Sequence, residues 1–180
     1  IHLHDGPPAG LHLLTADGDG HASHQPDVLM AVTVADCVPV FLVDPSKRSV
    51  AMIHAGWRSA AKGILEEGVS LLRNRFRSRP QNLHLHLGPS ICGECYEVGP
   101  EVHEAFGLPR PTAPTPIDLR GILAQRGAAV GIPLSQISRS ALCTRCHNDR
   151  FYSHRCGDRE RQVGFLGIRE LPSAAENSGG

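Results

Sequence analysis

The chain has 180 residues, 41% of them hydrophobic and 20% charged, with no formal net charge when histidine is neutral; these are the proportions of one globular domain able to bury a sizeable core. The balance leaves no electrostatic footprint for nucleic acid or an anionic membrane, and no apolar run approaches the roughly eighteen residues needed to span a bilayer. Eleven histidines against 4% aromatic residues make the charge pH-dependent between about pH 5 and 7.

The runs Val28–Val34, Val38–Val43 and Val50–Ile53 are short, rich in β-branched residues and bounded by Asp44-Pro45 or Gly56. They predict buried strands of one sheet. Two polar clusters close these runs: Val34-Ala35-Asp36-Cys37 and His54-Ala55-Gly56-Trp57-Arg58. A thiol and an imidazole at neighbouring strand ends can share a metal, as ligands of Zn²⁺ or Cu²⁺, or a proton, as nucleophile and base. The alternative is a buried core cysteine and a satisfied core histidine. Asp36 beside the thiol and the polar run after the imidazole weigh towards a site, because a buried strand needs no polar cluster.

Residues 58–72 carry apolar positions at helical spacing, so a helix is expected to start just after Gly56. Its N-terminus would then face the site and welcome phosphate or a carboxylate, with Arg58 adding a charge-assisted hydrogen bond. Leu83-His84-Leu85-His86-Leu87 alternates, which puts the two histidines on one strand face and the leucines on the other. Cys92-Gly93-Glu94-Cys95 and Cys143-Thr144-Arg145-Cys146 are two CxxC pairs. Together Cys92, Cys95, Cys143 and Cys146 can form a structural Cys₄ zinc site if the fold joins them; otherwise they are isolated buried thiols or disulfides.

A short helix is expected to open at Pro100, followed by a proline-rich loop over 107–116 and an amphipathic helix from Asp118 to Val130 that Asp118 caps. Ile137–Leu142 and Val163–Ile168 predict the last strands, and residues 172–180 read as a disordered polar tail. Between those strands, Phe151-Tyr152-Ser153-His154-Arg155 offers a phenol at Tyr152 and a guanidinium at Arg155 to a polar substrate, or is simply a polar loop on the sheet edge.

Four of these motifs together resemble the laccase-domain family, also called multicopper polyphenol oxidase or multifunctional purine nucleoside phosphorylase. They are Val34-Ala35-Asp36-Cys37-Val38-Pro39-Val40; His54-Ala55-Gly56-Trp57-Arg58 with Gly63-Ile64-Leu65-Glu66; Leu87-Gly88-Pro89-Ser90-Ile91 with Cys95-Tyr96-Glu97-Val98-Gly99; and Cys143-Thr144 with Phe151-Tyr152-Ser153-His154-Arg155. Their order over residues 18–168 makes the resemblance specific. It implies a single α/β domain over residues 1–171, with mixed sheet layers flanked by helices, similar to the catalytic domain of cytotoxic necrotizing factor toxins. It also implies a metal held by His, Cys and His, of which Cys37 and His54 match the second and third. The family's first ligand stands in a Gln-hydrophobic-His-Gly run that this chain lacks. The chain is therefore read as a fragment without its first ligand, with His2 or His4 as the substitute otherwise. Arg161 matches a later family arginine, whereas His154-Arg155-Cys156 departs from the family's usual Tyr-Arg-Arg.

The resemblance implies phosphorolysis of adenosine, inosine, guanosine and methylthioadenosine, together with adenosine deamination. Zn²⁺, or Cu²⁺, would be the cofactor, and a small nucleoside and phosphate the partners. The protein is expected to be cytoplasmic, a monomer or small homo-oligomer, with no nucleic-acid or membrane partner. Asp36 is the candidate general acid/base beside Cys37 and His54, with Arg58, Tyr152 and Arg155 on the substrate. Three alternatives stand: a Cys37–His54 amide hydrolase acting on cell-wall peptide precursors, a polyphenol oxidase, and a catalytically incomplete zinc-binding module.

Overall fold

In the computed structural model, which describes residues 1–4 and 18–169, the apolar runs around Cys37 become the centre of the fold. Strands β4 (Val38–Asp44) and β5 (Ser49–Ala55) pair antiparallel along their whole length. Buried Asp44 turns the chain between them: its Oδ1 accepts from the Ser46 amide and hydroxyl and from the Lys47 amide at 2.9, 2.6 and 3.2 Å. Around this pair a mixed sheet of six strands forms in the order β1 (His2–His4), β2 (Gly20–Ser23), β5, β4, β6 (His84–Leu87) and β9 (Ile137–Arg139). The pairs β1–β2 and β6–β9 are parallel, the others antiparallel.

Period-two alternation sends β4 and β5 side chains to opposite faces of this sheet. On one face Leu42, Ile53 and Leu85 are buried against Leu65, Val69 and Leu72 of helix α2 (Ile64–Phe76) and Leu123 of α4 (Leu119–Ala129). Each such buried leucine contributes about 1.5–3 kcal/mol. On the other face Val50 and Met52 pack with Met30, Val32 and Val34. These three come from β3 (Leu29–Val34), which among the described residues pairs with β10 (Gln162–Gly167) in a separate antiparallel ribbon.

That ribbon corrects the expectation of one sheet for all three early runs. The strict exposed–buried alternation of β3 fits a strand covered on one face. Cys37 therefore lies where the chain passes from ribbon to sheet.

The expected helix over 58–72 is also two helices, α1 (Trp57–Ala61) and α2. Gly63, at φ +87°, takes a left-handed conformation that breaks the helical ladder between them. Other expectations match. His84 and His86 are exposed while Leu85 and Leu87 are buried. Helix α3 (Pro100–Ala105) opens at Pro100, and Asp118 caps α4 by accepting from the Gly121 amide at 2.9 Å. A two-strand ladder of β7 (Glu97–Val98) and β8 (Thr115–Pro116) holds the segment around α3.

Strand β9 ends at Arg139 rather than Leu142, because buried Arg120 takes the carbonyls of Ser140 and Leu142 that a longer ladder would need. Residues 172–180, read as a tail, lie outside those described. Among the described residues, no helix is long and apolar enough to cross a membrane.

Candidate functional site

The thiol and the imidazole singled out in the sequence flank Gly56. A Cβ built on Gly56 would stand 3.3 Å from Cys37 Sγ and 3.9 Å from His54 Cε1. The missing side chain is what leaves room between them. His54 closes β5 and is fixed from β2's approach: its amide donates to the Asp19 carbonyl at 2.7 Å and its Nδ1 donates to Asp19 Oδ1 at 3.2 Å. A carboxylate partner puts the proton on Nδ1 and leaves Nε2 with its lone pair. Ser59 reaches back from α1 to the His54 and Gly56 carbonyls at 3.3 and 3.2 Å.

Cys37 is held as a thiol. Burial, then the carboxylates of Asp36 and Asp19, push it up to about 11, with Arg161 pulling the other way. Tyr96 stands in the same field, its phenol pushed up to about 12 by burial and by Cys37. The Arg155 guanidinium lies 5.2 Å from the Tyr96 ring centre, and the exposed Arg58 guanidinium lies 4.4 Å from that of Trp57. Tyr152 is exposed, and its amide donates to Gln162 Oε1 at 2.9 Å.

Asp36 turns its carboxylate elsewhere. Oδ1 accepts from the Thr144 hydroxyl at 2.6 Å and Oδ2 from the Arg155 amide at 2.8 Å, while the Asp36 carbonyl accepts from the Ile91 amide at 3.1 Å. Its φ of +78° is uncommon for a residue with a side chain. Fixed donors on both oxygens make it a joint between three loops.

The two histidines at the chain start separate. His2 Nε2 is buried and unpartnered, and it lies 2.5 Å from where a Gly18 Cβ would be. His4 Nε2 instead meets His21 Nδ1 at 3.1 Å. Neither joins Cys37 and His54 within metal-ligand spacing. Among the described residues, the one group of three or more His, Cys, Asp or Glu side chains with such spacing is Cys92, Cys95, Cys143 and Cys146, all within 4.8 Å of one another. The fold thus joins the two CxxC pairs into a metal-binding cluster. The Cys143 sulfur accepts from the Cys92 and Cys146 amides at 3.2 and 3.4 Å. Burial opposes its ionisation, but these amides hold it down to about 7.

Thiolate and imidazole are donors that zinc and copper accept. Cys37 and His54, set around the side-chain-free face of Gly56, supply two such donors.

Sequence reasoning missed Asp19 and Tyr96 as site residues. Asp19 has no motif of its own, and Tyr96 was visible only within the Cys95-Tyr96-Glu97 run. The expected helix start just after Gly56 is present, but it belongs to the five-residue α1, and the longer α2 follows only after its cap at Gly63.

The model of the family described as multi-copper polyphenol oxidoreductase laccase matches residues 4–169. The chain is 36% identical over 166 residues to the purine nucleoside phosphorylase YlmD of Geobacillus stearothermophilus, covering 84% of this chain and 60% of that protein. A protein named adenosine deaminase RL5, from an unknown prokaryotic organism, is 36% identical over 143 residues, covering 71% of this chain and 53% of its own length. The crystal structure of YlmD from Geobacillus stearothermophilus superposes with a TM-score of 0.80 at 34% identity, over 84% of this chain and 61% of that chain. The chain spans little more than half the length of these relatives.

Proposed function

The chain belongs to the multi-copper polyphenol oxidoreductase laccase family, and from that premise we propose that it is a metal-dependent purine nucleoside phosphorylase that also deaminates adenosine. The observation that carries the reading is the pairing of Cys37 with an Asp19-oriented His54 across Gly56. Relatives named for phosphorolysis and for adenosine deamination support it.

Zinc held by Cys37 and His54 would supply Lewis acidity and a hydroxide source near neutral pH. Everything else falls to the chain's own residues. Arg58 and Arg155 are the donors for phosphate, each positioned over an aromatic ring. In phosphorolysis a phosphate oxygen bonds to the sugar C1′ as the bond to the purine nitrogen breaks, and the departing purine takes up a proton. Tyr96, held protonated well above neutral pH, can donate a hydrogen bond to that leaving nitrogen. Asp36, first expected to shuttle protons, acts in this reading by holding Arg155 and the Cys37 turn. Tyr152 is left as a candidate on the outer rim.

A metal-free Cys37–His54 amide hydrolase would need His54 to take the proton of a thiol that burial pushes up to about 11. The phenol-oxidase reading needs several histidine-rich copper centres for electron relay, and among the described residues the one cluster at ligand spacing is made of four cysteines.

The test is adenosine turnover by the full chain. With phosphate, adenine and ribose 1-phosphate should form; without it, inosine and ammonia. Both activities should vanish in Cys37→Ala, and full activity in that variant would remove the proposal.

A further inference from the structure

Outside the Cys37–His54 pair, the largest concentration of chemistry is the four-cysteine cluster, and Asp36 is hydrogen-bonded by Ile91, which precedes the first knuckle, and by Thr144 inside the second. We propose that Cys92, Cys95, Cys143 and Cys146 bind one Zn²⁺ ion, and that this ion clamps Asp36 and so sets the turn that carries Cys37.

The sulfur geometry fits. A tetrahedron with Zn–S of about 2.3 Å has S···S edges of about 3.8 Å. Here the four sulfurs lie within 4.8 Å of one another, with Cys95 and Cys146 at 3.4 Å. All six cysteines are free thiols. The two amide donors on Cys143 stabilise a thiolate, as knuckle backbones do around a metal. Arg145, inside the second knuckle, donates to the Cys95 carbonyl at 3.3 Å, placing positive charge beside a zinc–thiolate centre of net negative charge. An all-thiolate tetrahedron selects a soft or borderline ion without open coordination positions, which is a structural zinc site.

The reach to Asp36 comes from the backbone that the knuckles share with it. Ile91, just before Cys92, donates its amide to the Asp36 carbonyl at 3.1 Å, and Thr144, between Cys143 and Cys146, donates its hydroxyl to Oδ1 at 2.6 Å. The knuckles are tied to each other by the Thr144 amide on the Ser90 carbonyl at 3.2 Å. An ion joining the knuckles closes this ring, and Asp36 is held in its left-handed conformation with Cys37 next in the chain. The zinc site is independent of the reaction proposed above; only the effect of the clamp on turnover rests on that reading.

The experiment therefore reads metal and thiols before activity. Zinc content and cysteine-by-cysteine alkylation are measured on the full chain, purified without chelator. One zinc equivalent should persist in Cys37→Ala and be lost in the double variant Cys92→Ser/Cys146→Ser. In the unmodified chain, Cys146 should alkylate at least about tenfold more slowly than Cys156, which is also exposed, until a strong chelator makes the rates similar. If the double variant does not fold, this labelling decides alone. Cys146 reacting as fast as Cys156 before chelation, or found in a disulfide, overturns the site. Thr144→Val should keep the zinc while raising the alkylation rate of Cys37; an unchanged Cys37 rate overturns the clamp.

Discussion

Asp19 and His54 meet twice, through the His54 amide on the Asp19 carbonyl at 2.7 Å and through Nδ1 on the Asp19 carboxylate at 3.2 Å. The first contact sets the backbone level of the two residues; the second fixes the imidazole tautomer, leaving Nε2 for a ligand. Such a carboxylate raises the basicity of a ligating histidine, and losing one typically costs 10–100-fold in metal affinity or activity. Asp19→Asn is expected to lower metal affinity and adenosine turnover by about that factor with the fold intact. Unchanged metal affinity and kcat/KM would remove Asp19 from the site.

Gly56 has φ −79° and ψ 168°, an extended conformation that alanine adopts freely. Its importance is spatial: a methyl group there would fill the gap between Cys37 Sγ and His54 Cε1. Gly56→Ala should leave Tm within a few degrees yet reduce turnover by up to about 100-fold, the scale of an ångström-level misplacement in a catalytic constellation. Thermal melting beside kcat/KM checks both halves.

The high position of the Cys37 thiol has a direct kinetic signature. In metal-free protein its alkylation should be slow at neutral pH and climb steadily as pH rises towards about 11. A rate that levels off near neutral pH would show a pre-formed thiolate and revive the nucleophile reading.

His21 is held below the ordinary imidazole value of 6.5 by burial first, then by His4 and His2. A depressed value means that the fold favours neutral His21. Its contribution to stability is complete above about pH 6.5 and is lost as pH falls through the lowered folded value. Denaturant melts between pH 7 and 5 should show stability declining with acid, and His21→Gln should flatten that decline. An identical acid slope in the variant would assign the effect elsewhere.

Leu65 is fully buried against the helical face of the sheet. Leu65→Ala should cost about 2–5 kcal/mol, read from the urea midpoint, and a loss under 1 kcal/mol would contradict the layered core.

Much of this fold was legible residue by residue. Alternation placed Leu85 and Leu87 inward, Pro100 and Asp118 marked helix starts, and β-branched runs marked β4 and β5, because these features depend on local geometry and burial of neighbouring side chains. The strands β1 and β2 went unread: His-Leu-His and Gly-His-Ala-Ser carry no apolar period, and they exist by pairing at the edge of β5. In the same way Gly63 looked like one residue of a long helix until its left-handed conformation divided it.

For the site, the sequence by itself determined the chemical types: a thiol, an imidazole beside a glycine, two CxxC knuckles and the arginines around them. Tertiary structure alone decided who meets whom. It set Cys37 and His54 around Gly56, brought Asp19 to His54, drew two knuckles far apart in the chain into one cluster, and gave the Asp36 carboxylate the Thr144 hydroxyl and the Arg155 amide as donors. The physical reason is that reactivity is written in side-chain identity, whereas proximity between distant segments comes from strand pairing and core packing, which no local pattern encodes.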